Sequence, residues 1–467
     1  MKRLIRILAL TLSFVLVAAF FGACAGNQDP GKEPGGETPG GGDETPGGGD
    51  ETPGGGDEEL DMSKYPLYNE KYETMTYDAE EYASKLSQPY WLGNVIYNEL
   101  ALPIEYESGE AYANLLYKPL KVVQVMDQKL GKVYEEGVDY TVDEENGRLV
   151  IPDGSSIPLI NEKAITGTTV EELTEAAPEG YNYAGSLQDG VIVPPDLSSY
   201  VIWDFGMGPY VYTESSFFYG KYLSVTYAYD VRDLPSDIFA DYDLTMLNGV
   251  RSKLEKGEDI SLVVIGDSIS AGSSSTGDNL YVDPYTPCYA NQLKAELERV
   301  YGVNVTLTNS AVGGTKSEYP LTGEGSMKLQ NALNAKPDLC IIAYGMNDAT
   351  DSEVTPVYYK NNIEEIMLRI KVASPDCNFI LVNSFPCNEL DTRASGKFDE
   401  YLKQLERIQS SHNDGTVTVV DMYKVGNYFL ESKFYSEISS SNNNHPNDFM
   451  HRVYAMNLMS VICDYKK

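Results

Sequence analysis

An α/β fold is predicted for residues 241–467, a parallel sheet with helices on both faces. An all-β region of sandwich or jelly-roll type is predicted ahead of it, over residues 62–240. Three observations carry this reading. From Ser261 onward, short apolar runs alternate with stretches of helical spacing, the order that builds strand–crossover–strand units. Before that, runs rich in Tyr, Val and Ile recur between Gly, Pro, Asn and Asp, as in antiparallel β domains. Ahead of both lie about sixty residues whose composition cannot form a core.

Those first residues are read in order. Lys2, Arg3 and Arg6 precede an uncharged apolar stretch from Ile7 to Phe21, then Gly22, Ala23 and Cys24. A positive start, a short apolar segment and small residues make residues 1–23 a secretory signal peptide. Small residues followed at once by cysteine resemble a bacterial lipobox, which implies lipidation at Cys24 and a membrane-anchored, extracytoplasmic protein. Phe21 stands where an aliphatic residue is usual. Residues 24–61 contain three copies of ETPGGGD from Glu37 to Asp57. Glycine adds chain entropy, proline blocks helix and the carboxylates repel, so this segment is read as a flexible tether.

In the β region the candidate strands are LKVVQVM, VDYTV, RLVIP, GVIVP, YVIWDF, YVYT and YLSVTYAYD. Asn146-Gly147 between two of them signals a hairpin. Trp91, Trp203 and the many tyrosines fit half-buried pleated surfaces or, where exposed, sugar rings. In the α/β region the buried-strand runs are SLVVIGDS, VNVTLTN, DLCIIAYG, NFILVNSF and VTVVDM, with YANQLKAELERVY, NNIEEIMLRIKV and KFDEYLKQLERIQ as helices. Five cysteines beyond Cys24 are too few and too scattered for a disulfide scaffold, and Cys340 and Cys463 read as buried thiols.

Charge excludes some functions. The 35 Lys+Arg against 70 Asp+Glu leave a net charge of −35. That rules out binding nucleic acid through bulk charge and argues against docking on anionic lipid through a basic patch. Three histidines without metal spacing and no H-E-x-x-H motif argue against a metal centre, and no cofactor is expected.

Ligand sites in such sheets form at the carboxyl ends of the strands. There the sequence places Gly266-Asp267-Ser268, Asn309-Ser310-Ala311-Val312-Gly313-Gly314-Thr315 and Gly345-Met346-Asn347-Asp348. Asn444-His445-Pro446-Asn447-Asp448 precedes a final helix. A serine leaving a buried strand, glycine N–H groups, an asparagine amide and a histidine are the parts of nucleophilic acyl transfer. Asp267, beside the serine, reads either as a residue that tunes the site or as a turn cap, and Asp348 as a brace for the Asn347 loop. His412 reads as a solvated turn residue, and His451 as a surface or packing residue of the last helix. There is no G-x-S-x-G elbow.

Together these blocks resemble the SGNH, or GDSL, hydrolase family over about residues 261–467. Ser268, Gly314, Asn347 and His445 fall on the four positions that name it. AVGGT, AYGMND and HPNDFMHRVYA look most like bacterial carbohydrate esterases with a β domain ahead of the SGNH domain. The resemblance implies a flavodoxin-like sheet and a serine esterase acting on O-acyl, above all O-acetyl, groups of a polysaccharide such as xylan. Ser268 would be the nucleophile and His445 the base. The oxyanion would sit among Ser268 N–H, Gly314 N–H and the Asn347 amide.

One position departs from the family. Many members carry Asp three residues before the histidine, where this chain has Asn442. Three outcomes stand open: a Ser–His dyad oriented by Asn442 or a backbone carbonyl, another carboxylate with Asp448 the nearest in sequence, or an inactive site. Two rival functions follow: a lipase or lysophospholipase of the same family, and a carbohydrate-binding surface lipoprotein that has lost activity.

Overall fold

Five parallel strands make the central sheet of the C-terminal region: β12 (Ile260–Gly266), β13 (Val305–Asn309), β14 (Leu339–Ala343), β15 (Asn378–Asn383) and β16 (Val417–Asp421). Their order is β13-β12-β14-β15-β16, and every neighbouring pair is parallel. This is the doubly wound, flavodoxin-like order, whose chain reverses direction of travel beside the first strand. Leu262, Val263, Val264, Ile341, Ile342, Phe379, Ile380 and Leu381 are almost wholly buried, as strands covered on both faces must be. The helices Tyr289–Tyr301, Pro356–Ala373, Lys397–Ser411 and Asp448–Ile462 supply the cover.

This computed structural model describes residues 61–69, 79–179, 182–184 and 199–466. The leader 1–23, Cys24, the linker through residue 60 and the strand run GVIVP lie outside the described residues.

Among the described residues, three sheets build the β region. β1 (Val95–Ala101), β11 (Leu223–Tyr229) and β4 (Pro119–Asp127) form an antiparallel sheet in the order β1-β11-β4. The short strands β2 (Ile104–Glu105), β3 (Ala111–Asn114), β5 (Thr141–Asp143), β6 (Arg148–Val150) and β7 (Ile160–Asn161) form a second sheet, ordered β5-β6-β3-β2-β7. β8 (Asn182–Ala184), β9 (Ser199–Asp204) and β10 (Pro209–Tyr212) form the third. The expected hairpin is present: Thr141 pairs with Val150 and Asp143 with Arg148. Its turn uses Gly147 at φ +65°, and the Asp143 carboxylate accepts the Asn146 N–H at 3.1 Å.

Residues 62–467 pack as one compact unit, and the packing does not divide at residue 240. Tyr90 stacks on Phe449 across that boundary, with centroids 6.4 Å apart. A buried charge cluster joins the two regions. Lys433 Nζ is 2.6 Å from Glu99 Oε1 and 3.9 Å from Glu437 Oε1. It also donates to the carbonyls of Leu100 and Asn114. Tyr227 donates to Glu99 at 2.6 Å, while Glu437 accepts from Asn114 Nδ2 and the Leu102 N–H. Buried charges persist only when paired and hydrogen-bonded in this way.

Breaking that cluster tests the joint between the regions. Lys433→Ala strands two carboxylates in the interior and should cost about 3–5 kcal/mol, read as a lower denaturant midpoint in a single transition. An unchanged midpoint, or two separate transitions for the two regions, would contradict the packing.

Candidate active site

The site is assembled at the carboxyl end of β12, where the strand order reverses. β12 ends at Gly266, and its sequence explains the turn: a Cβ there would stand 2.4 Å from Ser270 Oγ and 2.6 Å from the Ala343 carbonyl. Asp267 then caps the short helix Ser268–Ala271 by accepting the Ile269 N–H at 3.1 Å, the capping role expected of it. Ser268 is therefore the first residue of that helix, 5% exposed.

The segment after β13 is zipped to β12 by Ser310 N–H to Val264 O and Val312 N–H to Gly266 O. This lays the glycine pair beside the serine: a Cβ on Gly313 would be 3.7 Å from Ser268 Cβ. Gly314 has φ +71°, a conformation that favours glycine. After β14, Asn347 Nδ2 donates to Thr315 O at 2.9 Å, tying the third strand-end loop to the second. Asp348 braces both by accepting from Ser317 N–H and Ser317 Oγ.

His445 arrives from the other end of the chain on a loop held by its own serines. Its N–H donates to Ser441 Oγ and its carbonyl accepts from Ser439 Oγ. Asn447 caps the final helix by accepting from Met450 N–H. The result sets His445 Nε2 2.9 Å from Ser268 Oγ. Ser268 and His445 are thus in direct contact, Gly313 lies beside Ser268, and Asn347 is tied through Thr315 to the loop that carries Gly314.

The other side of the imidazole is where the structure departs from expectation. His445 Nδ1 lies 2.9 Å from Glu214 Oε1, at ion-pair distance but off the line of a well-aligned hydrogen bond. Glu214 follows β10 in the β region. Neither predicted orienting residue takes this place. Asn442, at φ +57°, turns its amide away to donate to Val211 O at 2.9 Å. Asp448 accepts from Thr276 N–H and Oγ1 and from Tyr219 OH. Its carboxyl is engaged in holding the loop after the Ser268–Ala271 helix. No spacing rule points from His445 to Glu214. The one available signal was a carboxylate just past an apolar strand run, YVYTE.

Electrostatics follow from these contacts. Burial alone would lower the His445 pKa, but the Glu214 charge and contact outweigh it, with Asp267 adding to them, and hold it above the usual histidine value. Burial alone would raise Glu214, but His445 and the Tyr212 hydroxyl hold it below the usual value. Burial pushes Asp267 up to about 7; the Ile269 N–H opposes the rise and the Asp348 charge adds to it. His451 is wholly buried, 3.3 Å from Ser273 O. Burial pushes its pKa down to about 4, so it is a neutral packing residue. His412 Nδ1 contacts Ile408 O at the end of its helix. Among the described residues no group of His, Cys, Asp and Glu is placed to hold a metal ion, and the five described cysteines are free.

A hydroxyl against an imidazole that is paired with a carboxylate can be deprotonated for attack on a carbonyl carbon. This arrangement is set at the switch point of the parallel α/β sheet. Residues 264–453 match the family described as GDSL-like Lipase/Acylhydrolase. Solved structures to which this chain is similar include a two-domain esterase active on acetylated mannans, at 19% identity, 46% of this chain, 52% of that chain and a TM-score of 0.36. The match thus spans about half of that esterase. An acetylxylan esterase from Geobacillus stearothermophilus matches at 18% identity over 44% of this chain and 95% of its own, TM-score 0.37. A lipase/acylhydrolase from Enterococcus faecalis matches at 21% over 43% and 93%, TM-score 0.35. Among curated proteins none matches.

Proposed function

We propose that this protein is a serine esterase that removes O-acetyl groups from a polysaccharide. The observation that carries the reading is the 2.9 Å contact of Ser268 Oγ with His445 Nε2, at a strand end flanked by the Gly314 and Asn347 loops. Ser268 Oγ attacks the ester carbonyl carbon while His445 Nε2 takes its proton. The C=O pair moves onto oxygen, and the oxyanion is received by Ser268 N–H, Gly314 N–H and the Asn347 amide. Asn347 has one amide hydrogen committed to Thr315 O and one left for this task. His445 returns the proton to the sugar oxygen, the C–O bond breaks, and acetyl-Ser268 remains. Water, deprotonated by His445, releases acetate and restores the serine.

The polysaccharide substrate is supported by chemistry away from the site. A net charge of −35 disfavours anionic lipid surfaces and tolerates neutral glycans. The ETPGGGD tether gives reach to a lipid-anchored enzyme whose substrate is large and fixed. Anchoring through Cys24 is part of the proposal. Fatty-acid labelling of the protein in a bacterial host should disappear in Cys24→Ser, and persistence of the label would refute the anchor.

The protein should release acetate from acetylated xylan and from a small aryl acetate. Ser268→Ala should abolish both, and Asn347→Ala should lower kcat by about 10²–10³-fold. Turnover that survives Ser268→Ala would contradict the mechanism. Aryl acetate turnover without release from acetylated glycans would contradict the substrate.

A further inference from the structure

We propose that Glu214, delivered by the β region, is the positioning residue that orients His445 and stabilises its protonated form, and that Tyr212 fixes Glu214 for that task. The proposal rests on the Ser268–His445 esterase reading. A carboxylate against Nδ1 holds the proton there and leaves the Nε2 lone pair toward Ser268 Oγ, the tautomer that accepts the hydroxyl proton. It also stabilises the imidazolium formed in the transition state. The residue three before the histidine cannot supply that charge, because it is Asn442 and its amide is spent on Val211 O.

That amide still has a part to play, because Val211 lies in β10, the strand that brings Glu214 in. β10 and its continuation are stitched to the histidine loop at three points. Tyr210 OH donates to Asn443 Oδ1 at 2.8 Å, Asn442 Nδ2 donates to Val211 O at 2.9 Å, and Thr213 N–H donates to Ser441 O at 3.2 Å. Glu214 therefore sits in fixed register with His445, although the two are far apart in sequence. Its Oε1, the oxygen facing Nδ1, also accepts from Tyr212 OH. Tyr212 is itself stacked on Trp203, centroids 4.2 Å apart and rings 16° from parallel. A strand residue braced by an indole thus holds the carboxylate, and the histidine loop holds the strand.

The charged and titratable groups facing His445 are Glu214 after β10, Asp267 after β12 and His451 in the last helix. His451 is neutral near pH 7. Asp267 caps the nucleophile turn through Ile269 N–H, so it is held on the Ser268 side and is not the Nδ1 partner. Removing the Glu214 charge leaves burial as the dominant influence on His445, and burial lowers its pKa. The Glu214 side chain keeps 35% of its exposure, so water screens part of its charge. The loss on removing it should stay at or below that of a fully buried triad carboxylate.

The test compares Glu214→Gln and Glu214→Asp with the unaltered protein on a small aryl acetate across pH. In Glu214→Gln, kcat/KM should fall by on the order of 10²–10⁴-fold, mostly in kcat. The acid limb of the profile should move to lower pH, because a neutral amide no longer favours the imidazolium. Glu214→Asp should recover part of the rate and return the limb toward its original position. Asp267 is present in all three proteins, so the difference between profiles reports Glu214. Unaltered kcat/KM in Glu214→Gln would overturn the proposal. So would a rate loss with an unmoved acid limb, which a merely structural role would give. Proton NMR supplies a reading independent of turnover: the titration of the His445 ring Cε1–H should lie at higher pH in the unaltered protein than in Glu214→Gln. An unmoved titration overturns the proposal. If no Ser268-dependent turnover exists, the esterase reading fails by itself and this titration still decides the Glu214 contact.

Discussion

The imidazole of His445 has to face two partners at once, and the rest of the structure serves that constraint. Nε2 needs a hydroxyl that leaves the switch point of the parallel sheet. Nδ1 meets a carboxylate that leaves an edge of the β region. Neither partner is near the histidine in sequence, so backbone register must do the work. The histidine loop is clamped by Ser439 and Ser441 on one side and by β10 on the other. A loop anchored on both flanks loses little further freedom when the reacting geometry forms, which is how preorganisation lowers a barrier.

The β region is therefore a structural partner of the α/β sheet. Tyr219 reaches across to Ser274 O and accepts the Asp448 N–H. Tyr222 donates to Ser436 O. Lys433 sits between Glu99 and Glu437 in the interior. These contacts are polar, directional and buried, so they set the register of one region against the other in a way that apolar packing alone does not. An interface of that kind suits a site whose parts come from both sides of it.

Much of this was legible in the sequence. Alternating apolar runs and helical spacing gave the parallel sheet, because strands covered on both faces show continuous Val, Ile and Leu. The strand-end rule then led to Ser268, Gly314 and Asn347, and the segment before the last helix led to His445. Asp267 as a cap and Asp348 as a loop brace were also legible, since short-range carboxylate–backbone bonds leave local signatures. Glu214 was not legible, for a physical reason. It reaches His445 through tertiary register between a β edge and a loop, and that register leaves no periodicity or fixed spacing. Asn442 and Asp448 drew attention by proximity in sequence. The structure commits the first to Val211 and the second to Thr276 and Tyr219. The sequence pattern changes near residue 240 from β runs to β/α alternation, while residues 62–467 form one compact unit.

The most direct test of the account is covalent labelling with a fluorophosphonate, followed by peptide mass spectrometry and by the rate of labelling against pH. Such a probe reports only a serine made nucleophilic by a neighbouring base. The account predicts a single adduct on the peptide containing Ser268. Its rate should rise with pH through one transition lying above the usual histidine value, because Glu214 outweighs burial at His445. No adduct, an adduct on another serine, or a transition below the usual histidine value would contradict it.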